Sequence, residues 1–273
     1  LKGAALAARE RGDHIITVAT EHHAVLHACD DLARTFGFRQ TVLPVDRHGL
    51  VDLDALAAAL DERTVLVSVM HANNEVGTVQ PLAEVAALTR PRGVLLHTDA
   101  VQAAGALPLD VEALGVDLLT LAAHKVGGPK GVGALYARRG VRLHPLIHGG
   151  GQERDRRAGT ENTAGIIGMA EALRLATAEQ PAESARLAAL RDRLLAALTA
   201  VPGVVPTGHP TRRLPGLASV CVEGVEGEPL LIELEMAGIA CSSGSACAAG
   251  STEPSHVLTA LGLPPDLARG ALR

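Results

Sequence analysis

Short apolar runs and longer helix-like segments alternate through the first half of this 273-residue chain, and that order leaves few architectures open. The apolar runs are rich in Val, Ile and Leu, as buried strands are, and the segments between them have helical periodicity. Such alternation favours a mainly parallel sheet with helices on both faces. The strand-like runs are residues 14–19, 42–45, 65–70, 94–97, 117–121 and 133–136, and the helical segments are 24–35, 53–60 and 82–89.

The second half of the chain has a different pattern. Residues 161–200 are Ala-rich and helical in period, and Pro181 predicts a break within them because proline cannot donate a backbone hydrogen bond. A strand-like run at 220–222 and a helical segment at 228–236 follow. We therefore predict an α/β protein with a large domain over residues 1–180 and a smaller C-terminal α/β domain over residues 181–273.

Polar clusters follow three of the predicted strands. Glu21 and His22 come after the first strand, Asn74 lies in a polar cluster after the strand at 65–70, and Asp99 follows the strand at 94–97. Ligands of parallel sheets bind beyond the carboxyl ends of the strands. The three clusters therefore predict a binding site at that edge of the sheet.

Composition excludes several classes of function. The net charge of −5 gives no basic surface for direct nucleic-acid binding. No apolar run approaches the ~18 residues that would cross a membrane. Four cysteines are too few in a chain this long to form a disulfide framework, so we expect a cytoplasmic protein. With only two Phe, one Tyr and no Trp, histidine is the main planar residue that could stack on a cofactor ring.

Lysine is rare here: of 25 basic residues only three are lysine, and Lys125 is one of them. A chain that otherwise uses arginine is expected to keep lysine where a guanidinium cannot serve. Schiff-base formation is such a role, because it needs a primary amine that can lose its proton. A plain surface charge is the alternative, and residue statistics alone favour it.

Asp99, Gln102 and Lys125 suit a pyridine-type cofactor. A carboxylate pairs with a protonated ring nitrogen, which makes the ring an electron sink, and an amide can donate to a ring hydroxyl. His22 could stack on such a ring and move protons. For Asp99 alone, a helix N-cap is the alternative role.

A cluster of histidines resembles a metal site but does not predict one. His23 and His27 share a helical face, with His22 and Cys29 nearby, yet no further ligand is evident. A solvated helix face explains His23 and His27 more simply, so we expect no metal.

Cys247 ends a run of small residues at 242–246, which is a poor setting for a buried thiol. We interpret it as a reactive cysteine on a loop that can reach the site. A disulfide with Cys241 is the alternative and would disable the thiol. The Gly- and Arg-rich segment at 149–160 suits phosphate or a subunit contact, with a solvated loop at equal odds.

Taken together, these motifs resemble pyridoxal-phosphate-dependent cysteine desulfurases of the NifS/IscS type, in the class V aminotransferase superfamily, over essentially the whole chain. The resemblance implies fold type I, aspartate aminotransferase-like, with a mainly parallel seven-stranded-type sheet, and a homodimer. The family's Gly-Ala-Thr-Glu phosphate segment should precede Leu1, so we expect a fragment lacking both ends that binds the cofactor weakly. The matching stretches are residues 20–26, 70–77, 97–102, 124–136, 149–160, 242–247 and 253–258.

The resemblance also implies a role for nine residues. Lys125 would hold the cofactor and move the α-proton, with Cys247 as the sulfur-accepting nucleophile and His22 as proton carrier. Asn74 and Arg273 would bind the substrate carboxylate. The cofactor-binding residues would be Lys125, Asp99, Gln102, His22, Asn74, His124 and, from the partner subunit, Thr160.

The activity that this resemblance implies is removal of sulfur from L-cysteine, giving L-alanine and an enzyme-bound persulfide. The sulfur would pass to an iron–sulfur scaffold or a tRNA-thiolation protein. Selenocysteine lyase, another class V aminotransferase, or an inactive fragment that only binds a partner are the alternatives.

Overall fold

A six-stranded sheet forms the centre of the computed structural model, which describes residues 1–243 and 254–273. Its strands are β1 (His14–Val18), β2 (Arg39–Leu43), β3 (Thr64–Ser68), β4 (Leu95–Asp99), β5 (Leu118–Ala122) and β6 (Gly133–Ala137). They lie in the order β2-β1-β3-β4-β5-β6. The first five are parallel, and β6 pairs with β5 in the antiparallel sense.

Helices cover both faces of this sheet because successive strand residues point to opposite sides. Ile15 packs in one core with α1 (Lys2–Ala7) and α2 (His23–Phe36). Ile16 packs in the other core with α3 (Leu53–Ala59), α4 (Leu82–Thr89) and, in part, α5 (Val111–Leu114). All five residues of β1 and all five of β3 are buried, as expected for strands that are covered on both faces.

The rest of the chain forms a smaller C-terminal unit beside a long helix. Its sheet has the order β11-β10-β9, and its core contains Cys221, Val257 and Leu258. None of the described helices is both long and apolar enough to cross a membrane. The remaining elements are β7 (Gly151–Gln152), β8 (Arg157–Ala158), α6 (Thr163–Thr199), β9 (Val204–Pro206), β10 (Val220–Val222), α7 (Gly227–Met236), α8 (His256–Ala260), α9 (Pro265–Arg269) and β11 (Ala271–Leu272).

The predicted α/β fold is confirmed, with two corrections. The central sheet of the described residues has six strands rather than seven. The break near Pro181 is wrong, since α6 continues through this proline. Gln180 and Ser184, on either side of it, both donate to the carbonyl of Ala106, at 3.4 and 2.9 Å, and this tertiary anchoring holds the helix. The domain boundary at residue 180 falls inside α6 and stays a prediction.

A buried histidine links three strands beneath the site. His97 on β4 is 1% exposed, with its Nδ1 2.8 Å from Ser68 Oγ on β3 and its Nε2 3.4 Å from Thr120 Oγ1 on β5. Burial lowers the pKa of His97 from 6.5 to about 3. The ring is therefore neutral in the folded protein at any pH near neutrality.

We expect the stability of the fold to fall as pH drops below 6.5. The unfolded chain takes up a proton on His97 near its ordinary pKa of 6.5, whereas the folded chain does so only near 3. Acid therefore favours unfolding, by about 2 kcal/mol at pH 5. Urea unfolding at pH 7 and pH 5 measures this loss. His97→Asn keeps a partner for Ser68 but cannot titrate. The stability that this variant loses between pH 7 and pH 5 should therefore be about 2 kcal/mol smaller than the loss of the parent. Equal losses in parent and variant would contradict the prediction.

Candidate active site

The loops at the carboxyl ends of β1, β3, β4 and β5 surround a cavity of about 320 Å³. Residues of the C-terminal unit complete its wall. The polar clusters predicted from sequence therefore meet at this edge of the sheet, as a parallel arrangement requires. The structure brings seven of the nine predicted site residues to this cavity, namely His22, Asn74, Asp99, Gln102, His124, Lys125 and Arg273.

Asp99 is one of two carboxylic residues among the described lining residues of the cavity. It is the last residue of β4, and its Oδ1 accepts a hydrogen bond of 2.9 Å from the backbone of Val101. This bond stabilises the turn after the strand, and no α-helix begins there, so the alternative of a helix N-cap is wrong. Burial raises the pKa of Asp99, and the two opposing effects, the Val101 bond and nearby His22, are smaller. A cation placed beside Asp99 would remove this penalty.

Lys125 and His124 belong to a short 3-10 turn that follows β5. Both side chains are exposed along the cavity wall. A tight turn follows Lys125, since Gly127 has φ of +79° and the Gly128 amide donates to the Ala123 carbonyl at 2.9 Å. Lys125 therefore lines the same cavity as Asp99 at the end of β4.

His22 is the N-cap of α2. Its Nδ1 accepts a hydrogen bond of 3.1 Å from the backbone amide of Ala24. A neutral ring in this position carries its proton on Nε2. Burial lowers the pKa of His22, while the charge of Asp99 acts in the opposite direction. The ring is thus both fixed by the helix start and able to act as a neutral donor.

Arg273 joins two distant segments at the cavity. Its Nη1 donates to the carbonyl of Asn74, and its Nη2 donates to Ser242 Oγ at 3.1 Å. The backbones of Arg273 and Ser242 also form a reciprocal pair of hydrogen bonds, at 2.7 and 2.9 Å. The guanidinium is therefore held from two sides, with Asn74 beside it.

Three further residues of the site received no role from sequence reasoning. Glu21 is fully buried after β1, and its Oε1 accepts from the backbone of Met70. Burial raises the pKa of Glu21 well above its ordinary value, and the charge of Asp99 raises it further. Glu75 and His256 line the cavity directly. An acidic residue three positions after a wholly buried strand was the available signal for Glu21.

Two of the nine predicted site residues are not among these seven. Thr160 is exposed and is not among the described lining residues, and Cys247 lies outside the described residues. The Cys241–Cys247 disulfide is untested for the same reason.

The rings of the histidine cluster pack against one another. The rings of His23 and His27 stack with centroids 5.1 Å apart, and His23 lies 4.5 Å from His256. Within residues 1–243 and 254–273, no group of three or more His, Cys, Asp or Glu side chains is arranged to hold a metal ion.

The chain and its fold match a known family. The family model described as Aminotransferase class-V matches residues 2–273, and the chain belongs to that family. It is 51% identical over 273 residues to the protein named Cysteine desulfurase IscS of Methanosarcina thermophila, covering 100% of this chain and 67% of that relative.

Two solved structures show the same similarity. One, named NIFS-LIKE PROTEIN, has a TM-score of 0.91 at 39% identity. The match covers 99% of this chain and 71% of that protein's chain. Another, named SspA in complex with cysteine, has a TM-score of 0.82 at 34% identity. The match covers 100% of this chain and 76% of that protein's chain. The chain thus spans between two thirds and about three quarters of the length of these relatives.

Proposed function

We propose that this protein is a cysteine desulfurase, which takes sulfur from L-cysteine and leaves L-alanine and a persulfide on Cys247. The observation that carries the proposal is the meeting of Lys125, Asp99, Gln102 and His22, from separate segments, around one cavity. The names of the relatives, and the cysteine named with one solved structure, support L-cysteine as the substrate.

The donor set fits pyridoxal phosphate as the cofactor. Asp99 is a carboxylate whose burial is unfavourable until a cation approaches, and a protonated pyridine nitrogen is such a cation. Lys125 would hold the group covalently, His22 would stack on its ring, Gln102 would donate to its hydroxyl, and His124 would bind its phosphate. When bound, the cofactor supplies an electron sink for the α-carbon of an amino acid.

The remaining chemistry belongs to side chains of this protein. Arg273 would bind the substrate carboxylate through its paired N–H donors, and Asn74 would orient the substrate or the ring. The Lys125 amine would accept the α-proton, acting as a general base. His22 would assist proton transfer at the ring face.

Cys247 would carry out the sulfur transfer as a thiolate. It attacks the sulfur of the substrate, so that a sulfur–sulfur bond forms while the substrate's carbon–sulfur bond breaks. A proton replaces sulfur on the substrate carbon, and L-cysteine plus the Cys247 thiol become L-alanine plus the Cys247 persulfide. Ser242, five residues before Cys247, is bonded to Arg273 at the cavity, which supports this role.

We infer further that the protein is a cytoplasmic homodimer that passes sulfur to an acceptor protein, an iron–sulfur scaffold or a tRNA-thiolation protein. Thr160 is not among the described residues that line the cavity of its own chain, and it would bind phosphate in the site of a partner subunit. Large apolar side chains are exposed on either side of Thr160 in sequence, as at a subunit interface. They are Leu146, Ile147, Ile166 and Ile167, which are between 45 and 64% exposed.

The test of this proposal is a product assay. The protein loaded with pyridoxal phosphate should form alanine and, with a thiol reductant present, an equal amount of sulfide from L-cysteine. L-selenocysteine and a pair of amino and keto acids serve as rival substrates. Transamination without sulfide would reject the desulfurase in favour of an aminotransferase, and a large preference for selenocysteine would favour the lyase.

A further inference from the structure

The cavity has two sides that come from different parts of the chain. Asp99, Gln102 and Lys125 follow β4 and β5 of the central sheet. The other side consists of the loop after β3, with Asn74 and Glu75, together with Arg273 and the start of α8. Cofactor chemistry is assigned to the first side, and substrate binding falls on the second.

A buried hydrogen bond joins the loop after β3 to α8. The Ser255 hydroxyl donates to Glu75 Oε2, and these residues are only 8% and 3% exposed. The same hydroxyl accepts from the Val257 backbone at 3.1 Å, so it is also the N-cap of α8. Both hydrogen-bonding functions of Ser255 are thereby used, which fixes its position.

Glu75 in turn fixes the residues beside it. Its backbone amide donates to Asn73 Oδ1 at 2.8 Å, and the Asn73 amide group donates to the Thr20 carbonyl at 2.8 Å. Asn74 stands between these two anchored residues, and its carbonyl accepts the Arg273 guanidinium. A shift of Glu75 would therefore move Asn74 and the guanidinium together.

We propose that the Ser255–Glu75 hydrogen bond holds Asn74 and Arg273 in place for the carboxylate of the amino-acid substrate. Glu75 and Ser255 are then positioning residues, which set affinity for the substrate through Asn74 and Arg273. This inference rests on the proposed function, because it takes Arg273 as the carboxylate-binding group. A bidentate grip on a carboxylate depends on the orientation of the guanidinium, so small displacements weaken it.

The test measures binding of L-alanine, the expected product, by calorimetry on the protein loaded with pyridoxal phosphate. Ser255→Ala and Glu75→Ala should each raise the Kd by ~3- to 10-fold, the effect of one hydrogen bond. The visible absorbance of the bound cofactor should not change. Glu75→Gln keeps an acceptor oxygen for Ser255, so its Kd should stay close to that of the parent.

Ser219→Ala is the matched control. Ser219 lies in the same C-terminal unit, is buried, and accepts a hydrogen bond of 2.6 Å from Thr207. Ser219→Ala should lower the melting temperature about as much as Ser255→Ala does, but leave the Kd for L-alanine unchanged. If Ser255→Ala also changes only stability, or if the parent binds no L-alanine, the positioning role is overturned.

Turnover of L-cysteine, followed in parallel, separates this inference from the proposed function. If the parent and its variants bind L-alanine with the expected differences in Kd while the parent forms no alanine from L-cysteine, the desulfurase is rejected and the positioning role is kept. If the parent and the variants all form alanine from L-cysteine but share one Kd for L-alanine, the desulfurase is kept and the positioning role is rejected.

Discussion

Replacement of Lys125 by arginine should abolish alanine formation from L-cysteine, with kcat reduced by ~10³-fold or more. Arginine keeps the positive charge and similar reach, but its guanidinium neither loses a proton near neutral pH nor forms a Schiff base. The visible absorbance of the covalently held cofactor should disappear as well. Alanine assay and absorbance spectra of the variant, purified in excess pyridoxal phosphate, measure both effects.

Lys130→Arg is the control for this change. Lys130 is exposed, lies five residues further along the same segment, and is not among the described lining residues of the cavity. Its replacement should leave kcat and the spectrum within about two-fold of the parent, as surface substitutions do. If Lys125→Arg retained the parent's rate, Lys125 would be a surface charge and the proposed site would lose its central group.

Cys247→Ala should stop sulfur transfer while the cofactor remains bound. Removal of a nucleophile takes away the bond-forming step itself, so we expect alanine formation to fall by ~10³-fold. Mass spectrometry after brief exposure to L-cysteine should find one added sulfur atom on Cys247 of the parent and none on the variant.

Cys241→Ala tests the disulfide alternative at the same time. If Cys241 is not needed, its variant should form the persulfide at the parent's rate. A Cys247→Ala variant with normal alanine and sulfide production would remove the thiol from the mechanism, since a lyase or an aminotransferase has no need for it.

The sequence predicted the parts of the fold that depend on local pattern. The apolar run of β3 and the amphipathic pattern of α4 follow from residue period, and both elements lie where they were expected. Glu21, His22, Asn74 and Asp99 could be placed near one another because the carboxyl ends of parallel strands share an edge. The roles of the site residues stay predictions.

The rest depends on contacts between residues far apart in sequence. The continuity of α6 through Pro181 results from bonds of Gln180 and Ser184 to Ala106, which no local pattern announces. The Ser255–Glu75 bond likewise joins residues 180 positions apart. Secondary-structure propensity depends on residues that are close in sequence, whereas these features depend on tertiary contacts that form only in the folded protein.

The distances along the chain between the two sides of the cavity have a consequence for biosynthesis. Strands β1 to β5, and with them Lys125, leave the ribosome well before Arg273, which bonds to Asn74 across 199 positions. His256 returns to the Glu21 carbonyl across 235 positions. Closing such long loops is slow, although the entropy cost grows only with the logarithm of length. A nascent chain could thus complete its cofactor side first, and the residue proposed to bind the amino acid would be added later.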